Sequence, residues 1–175
     1  MKRSLGVGGV GVLATAAVLD LITPASVGAH NVNLYWGDNE DLLSTSAVNT
    51  GDVVGAWQHI LCSANEADCS NVDGYFGSVT ANGTHAFDTD LMINPADYEV
   101  ENGTWQSWHY AAFFLASSGS CYSGYTCRYW QGLGGNPQTD FAMSNSSYDW
   151  KWKGACNGND WTSMNHNAIT FTPSC

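Results

Sequence analysis

Basic side chains are scarce in this chain: five Lys and Arg stand against sixteen Asp and Glu, for a formal net charge of −11. Nucleic-acid phosphates and anionic bilayers are held mainly by Lys and Arg, so no nucleic-acid and no membrane partner is expected. Metal-ligand spacings are missing as well: no C-x-x-C, H-x-H or H-E-x-x-H occurs. No metal or other cofactor is therefore expected. A Ser nucleophile elbow is also absent, so no catalytic residue is assigned. Beyond the N-terminal leader, no apolar run is long enough to cross a bilayer.

The leader itself is distinct. Met1-Lys2-Arg3 precedes an apolar run from Leu5 to Leu19, and Pro24-Ala25-Ser26-Val27-Gly28-Ala29 forms a small-residue exit. Charge, length and exit predict a secretory signal peptide over 1–29, cleaved after Ala29 or after Ala25. A chain starting at His30 keeps three basic and fifteen acidic residues and would be secreted, extracellular or cell-wall associated. It carries six cysteines: Cys62, Cys69, Cys121, Cys127, Cys156 and Cys175. An even count in an exported chain predicts disulfides. Nearness in sequence favours Cys62–Cys69, Cys121–Cys127 and Cys156–Cys175.

Periodicity divides the remainder. Residues 30–47 read as an extended lead-in, with Val32, Leu34 and Trp36 alternating as in a short strand. Val54, Trp57 and Leu61 make an i, i+3, i+7 stripe, predicting a helix over about 51–62. Asp73-Gly74-Tyr75-Phe76-Gly77 is a turn, because Gly accepts φ > 0 and Asp bonds its own backbone. Ser78 is then the expected N-cap of a second helix over about 78–90, with Val79, Gly83, Ala86 and Phe87 on one face. Twenty-four residues on, Asp97, Val100 and Thr104 repeat the offsets of Asp73, Phe76 and Thr80. A third helix is expected from about 102 past Trp108. After Ala116 the composition shifts to Tyr, Trp, Ser, Gly and Asn, with strands expected at 125–130, 140–144, 148–153 and 168–172.

One ordered series stands out: Gly51, Val54, Gln58, Leu61, then Asp73, Gly74, Phe76, Gly77, Thr80, Phe87, then Asp97, Val100, Thr104, Trp105. Over about residues 48–108 it resembles the peptidoglycan-binding domain family of bacterial wall proteins. Trp57 stands where the family has Leu, Asp88 where Gln follows the aromatic, and Tyr98 and Glu101 where the second turn has Gly. The resemblance implies the helical part alone; with the β-like runs of the region after it, for which no family is recognised, the expected fold class is α+β. A small three-helix peptidoglycan-binding-like bundle at 48–116 would precede a small disulfide-closed antiparallel β-sheet tail at 117–175.

The expected function is that of a secreted, non-catalytic protein binding peptidoglycan or a related cell-wall glycan. Sugars are recognised by aromatic platforms and short polar groups. Tyr75, Tyr98, Trp105 and Trp108 would supply platforms; Asp73, Thr80 and Thr104 would supply polar contacts. The bland alternative has Asp73 and Thr80 bracing the turn and Trp105 in the core. Tyr122, Tyr125, Tyr129, Trp130, Trp150, Trp152 and Trp161 make the tail a second candidate carbohydrate surface, although period two places Trp150 and Trp152 on one core face. Two other functions fit the same architecture: a small peptidoglycan hydrolase acting through the tail, and an interaction or inhibitor protein that has lost the ligand. For the first, Glu99 with Glu101, or Asp97 with Glu101, would be the carboxylate pair, but nothing in the chain sets their separation across a cleft.

Overall fold

The computed structural model describes residues 42–93, 96–101, 104, 124–130, 136–146 and 149–175. Among these, two α-helices and a four-stranded antiparallel sheet surround one hydrophobic core. The expected signal peptide, the strand expected at 32–36, Cys121, Trp105 and Trp108 lie outside the described residues.

Helix α1 (Asp52–Ala64) is the centre of the molecule, and every one of its residues is buried. The stripe of Val54, Trp57 and Leu61 is therefore only one of its buried faces. A helix covered on all sides needs an apolar sequence and a partner for each polar side chain. Asp52, Gln58 and Ser63 meet that need through tertiary hydrogen bonds, and His59 meets it at Nδ1 but not at its buried Nε2. The helix ends at Asn65, which takes the left-handed conformation (φ 69°) and turns its N–H back to Cys62 O and Leu61 O. The Cys62–Cys69 disulfide ties this end to the short 3-10 turn Cys69–Asn71.

Helix α2 (Ser78–Asp90) packs on α1 through Trp57, whose ring meets Phe87 edge-on at 5.3 Å and whose Nε1–H donates to Thr84 Oγ1 at 2.9 Å. Gly77, rather than Ser78, is its N-cap: Ala81 N–H returns to Gly77 O. Val79 does not join the buried face. It is 48% exposed, because the contact with α1 is made by Thr80, Ala81, Gly83, Thr84 and Phe87.

Strands β1 (Tyr125–Trp130), β2 (Thr139–Ser144), β3 (Trp150–Gly154) and β4 (Thr162–Ser163) pair in sequence order. Phe141 on β2 lies opposite Trp152 on β3. With Trp150 these side chains are buried in the common core, as alternation predicts. Lys151 and Lys153 point the other way: Lys153 pairs with Asp140 at 3.2 Å. The Cys156–Cys175 disulfide holds the C-terminus, and Cys127 is also disulfide-bonded. No described helix is long and apolar enough to cross a membrane.

The expected three-helix bundle followed by a tail is corrected on two counts. Only two α-helices are present among the described residues, and the third was expected mostly at positions outside them. The sheet is also not an appendage, since Phe141, Trp150, Trp152, Met164 and Phe171 share one core with α1 and α2. The segment expected as a final strand, 168–172, is not in the sheet, because its polar groups are used elsewhere. Ala168 O accepts from Asp52 N–H at 2.9 Å, and Asn165 O accepts from Val53 N–H at 3.2 Å. Two N–H groups left unpaired at the helix start are thus capped by backbone more than a hundred residues away. The Asp52 carboxylate returns the contact, accepting from Thr170 N and Thr170 Oγ1 (both 2.7 Å) and from Asn165 Nδ2 at 3.1 Å.

Candidate functional site

The turn at Asp73 is built on one buried amide, the side chain of Gln58 from the middle of α1. Its Oε1 accepts from Asp73 N–H at 3.0 Å and Gly74 N–H at 2.8 Å. Its Nε2 lies within hydrogen-bond distance of Asp73 Oδ1 (2.9 Å), Tyr75 O (2.9 Å) and Thr80 Oγ1 (3.0 Å). Two N–H bonds serve three acceptors, so one is shared. Asp73 Oδ1 also accepts from Tyr75 N–H at 2.8 Å, closing an Asx-turn. Gly74 is required twice over. Its φ is +79°, and a Cβ there would come within 2.9 Å of Ile169 Cγ1. Asp73 and the buried Thr80 therefore brace the turn, while Tyr75 stands outside it, 56% exposed.

The second Asp-led bend presents the other exposed tyrosine. Asp97 Oδ1 accepts from Glu99 N–H at 2.9 Å, and Tyr98 is 52% exposed. One face of the Tyr98 ring is stacked on His85 of α2, with centroids 4.5 Å apart and planes 13° from parallel. Thr104 is fully buried and donates to Asp88 Oδ2 at 3.3 Å. Asp88 is itself fully buried, and its Oδ1 has no hydrogen-bond partner. Burial first, then the charges of Asp97 and Glu101, push its carboxyl up to about 6, against the lowering effects of the Thr104 hydroxyl and the Asp97 backbone N–H. An acid so enclosed serves the fold.

Of the seven residues the sequence singles out for ligand contact, the structure leaves Tyr75 and Tyr98 displayed. It turns Thr80 and Thr104 inward, gives Asp73 to the turn, and does not describe Trp105 and Trp108. Sequence reasoning missed three contributors. Gln58 was visible only as a motif position, and nothing marked it as the hub of the turn. His85, the support under Tyr98, carried no signal. Asp88 was noticed as a departure after Phe87, but its burial was not legible.

The remaining polar clusters are structural. His59 is buried with Nδ1 at 2.6 Å from Thr139 Oγ1, and burial holds its pKa down at about 4, partly offset by Asp140. Ser63 spends its hydroxyl on backbone, donating at 2.7 Å to His59 O or to Pro137 O. Three sulfur atoms, of Cys62, Cys69 and Cys156, lie within 4.8 Å of one another, but all three are oxidised in the two disulfides. In the aromatic-rich region Trp150 and Trp152 fill the core, whereas Trp161 is half-buried beside a groove.

Comparison with protein-family models, with curated proteins and with solved structures gave no match.

Proposed function

We propose that this chain is an exported, non-catalytic protein that binds peptidoglycan or a related cell-wall glycan, as the peptidoglycan-binding family it resembles would. One observation carries the reading: two tyrosines are more than half exposed on bends that are otherwise tied into the core. A large ring left in water costs burial energy, of order 1 kcal/mol or more. Rigid display of such rings suits stacking on the apolar faces of sugars, at little cost in side-chain entropy. The disulfides agree with an oxidising, extracellular setting, and the acidic surface keeps the chain from nonspecific anionic partners.

The test is co-sedimentation with insoluble peptidoglycan at low salt. The full chain is retained in the pellet, and Tyr75→Ala with Tyr98→Ala returns it to the supernatant without changing its circular dichroism. Equal recovery of parent and double variant in the supernatant would sink the reading.

A further inference from the structure

A groove of about 520 Å3 opens between the turn after β3, strand β4 and the C-terminal segment. That volume lies in the range of small-molecule sites, roughly 300–1,000 Å3. Trp161 forms one wall, with Lys153 Nζ 5.0 Å from its ring centroid. Around it stand Asp160, Ser163, Asn165 and Thr172.

These walls are fixed from behind. Asn157 donates to Asp160 O at 2.8 Å and to Thr162 Oγ1 at 3.1 Å, and accepts from Gly154 N–H at 2.9 Å. Asn165 and Thr170 are anchored on the buried Asp52 carboxylate. Phe171 is rooted against Trp152, with centroids 5.4 Å apart. The Cys156–Cys175 disulfide pins the C-terminal segment beside Ser174. In contrast, the Asp160 carboxylate, the Ser163 and Thr172 hydroxyls and Asn165 Oδ1 make no hydrogen bond within the described residues.

We propose that this groove binds a neutral pyranose unit. An indole wall matches the C–H face of a sugar ring, and short hydroxyl, amide and carboxylate groups match its hydroxyls in both donor and acceptor roles. A carboxylate on the rim, in a chain of net charge −11, disfavours an anionic ligand. None of these groups belongs to the Tyr75 and Tyr98 bends, so the site stands or falls apart from the wall-binding reading.

The experiment is a ligand-observed NMR titration of the full chain with chitotriose and cellotriose, with a uronic-acid trisaccharide as the anionic control. Saturable binding of at least one neutral trisaccharide is expected, with none of the anionic one. Trp161→Ala weakens it at least about tenfold, Trp161→Phe retains most of it, and Ser163→Ala or Thr172→Ala weakens it about two- to fivefold, in line with one stacking contact or one hydrogen bond. Val79→Ala, at an exposed position of α2 that belongs to neither site, leaves it unchanged. No saturable binding of either neutral sugar, preferential binding of the anionic one, or equal affinity in Trp161→Ala, Ser163→Ala and Thr172→Ala overturns the proposal. Loss with Tyr98→Ala and not with the groove variants overturns it too, because the sugar would then be held at the second bend.

Discussion

The bends led by Asp73 and Asp97 share their contacts up to one position. In each, the Asp Oδ1 accepts from the N–H two residues on. In each, the third residue after the Asp is buried, and its N–H reaches back to the segment before α1: Phe76 to Asn49 O at 2.8 Å, Val100 to Leu43 O at 2.9 Å. In each, the Thr seven residues on is buried against a polar side chain that follows a core aromatic, Gln58 after Trp57 and Asp88 after Phe87. The difference is that an amide both donates and accepts, whereas a carboxylate only accepts. Gln58 therefore stitches its whole turn together, while Asp88 holds Thr104 and leaves one oxygen unpaired. A repeated backbone device can thus be firm in one copy and dependent on protonation in the other.

The strongest way to break the comparison is Gln58→Ala. It strands Asp73 N–H, Gly74 N–H and Thr80 Oγ1 and should cost about 3–4 kcal/mol, read by urea unfolding. A next-largest effect separates two opposed titrations. His59, held down at about 4, stabilises the fold above its ordinary 6.5 and loses that contribution as pH falls toward 4. Asp88, raised from 3.8 to about 6, acts in reverse: its favourable contribution is complete below 3.8 and is lost as pH rises through 6. The two offset one another in the parent. Asp88→Asn removes one of them, so its stability should fall by about 3 kcal/mol between pH 6.5 and 4, where the parent changes much less. A thermal-melting series over that range decides it, and parallel profiles for parent and variant would refute the offset.

The same variant sharpens the comparison at pH 7.5. There an amide replaces a buried charge and supplies the donor that the second bend lacks, for a gain of about 2 kcal/mol that vanishes near pH 4. Tyr98→Ala should have the smallest effect on stability, about 0.5 kcal/mol, because the ring is half in water and stacks on one face only. Its consequence should appear in pellet retention instead.

Much of the local structure was legible. The apolar spacing of Val54, Trp57 and Leu61, the Asp73-Gly74 turn and the Trp150/Trp152 alternation each describe neighbours along the chain, and helix, turn and strand appear close to where they predict. Two of the disulfides favoured by nearness, Cys62–Cys69 and Cys156–Cys175, are present. The candidate site was half legible. Tyr75 and Tyr98 are displayed, but a Thr that faces a ligand and a Thr that plugs a core share the same sequence signal. Thr80 and Thr104 take the second role.

What the sequence alone determined was therefore short-range: periodicity, turn chemistry and the closeness of paired cysteines, all set by sterics within a few residues. Tertiary structure decided that α1 is enclosed on every side, that residues 165–170 cap it instead of forming a strand, and that Gln58 and Asp88 brace equivalent bends. Those outcomes depend on which distant backbone groups must find partners once water is excluded, and no local pattern carries that information.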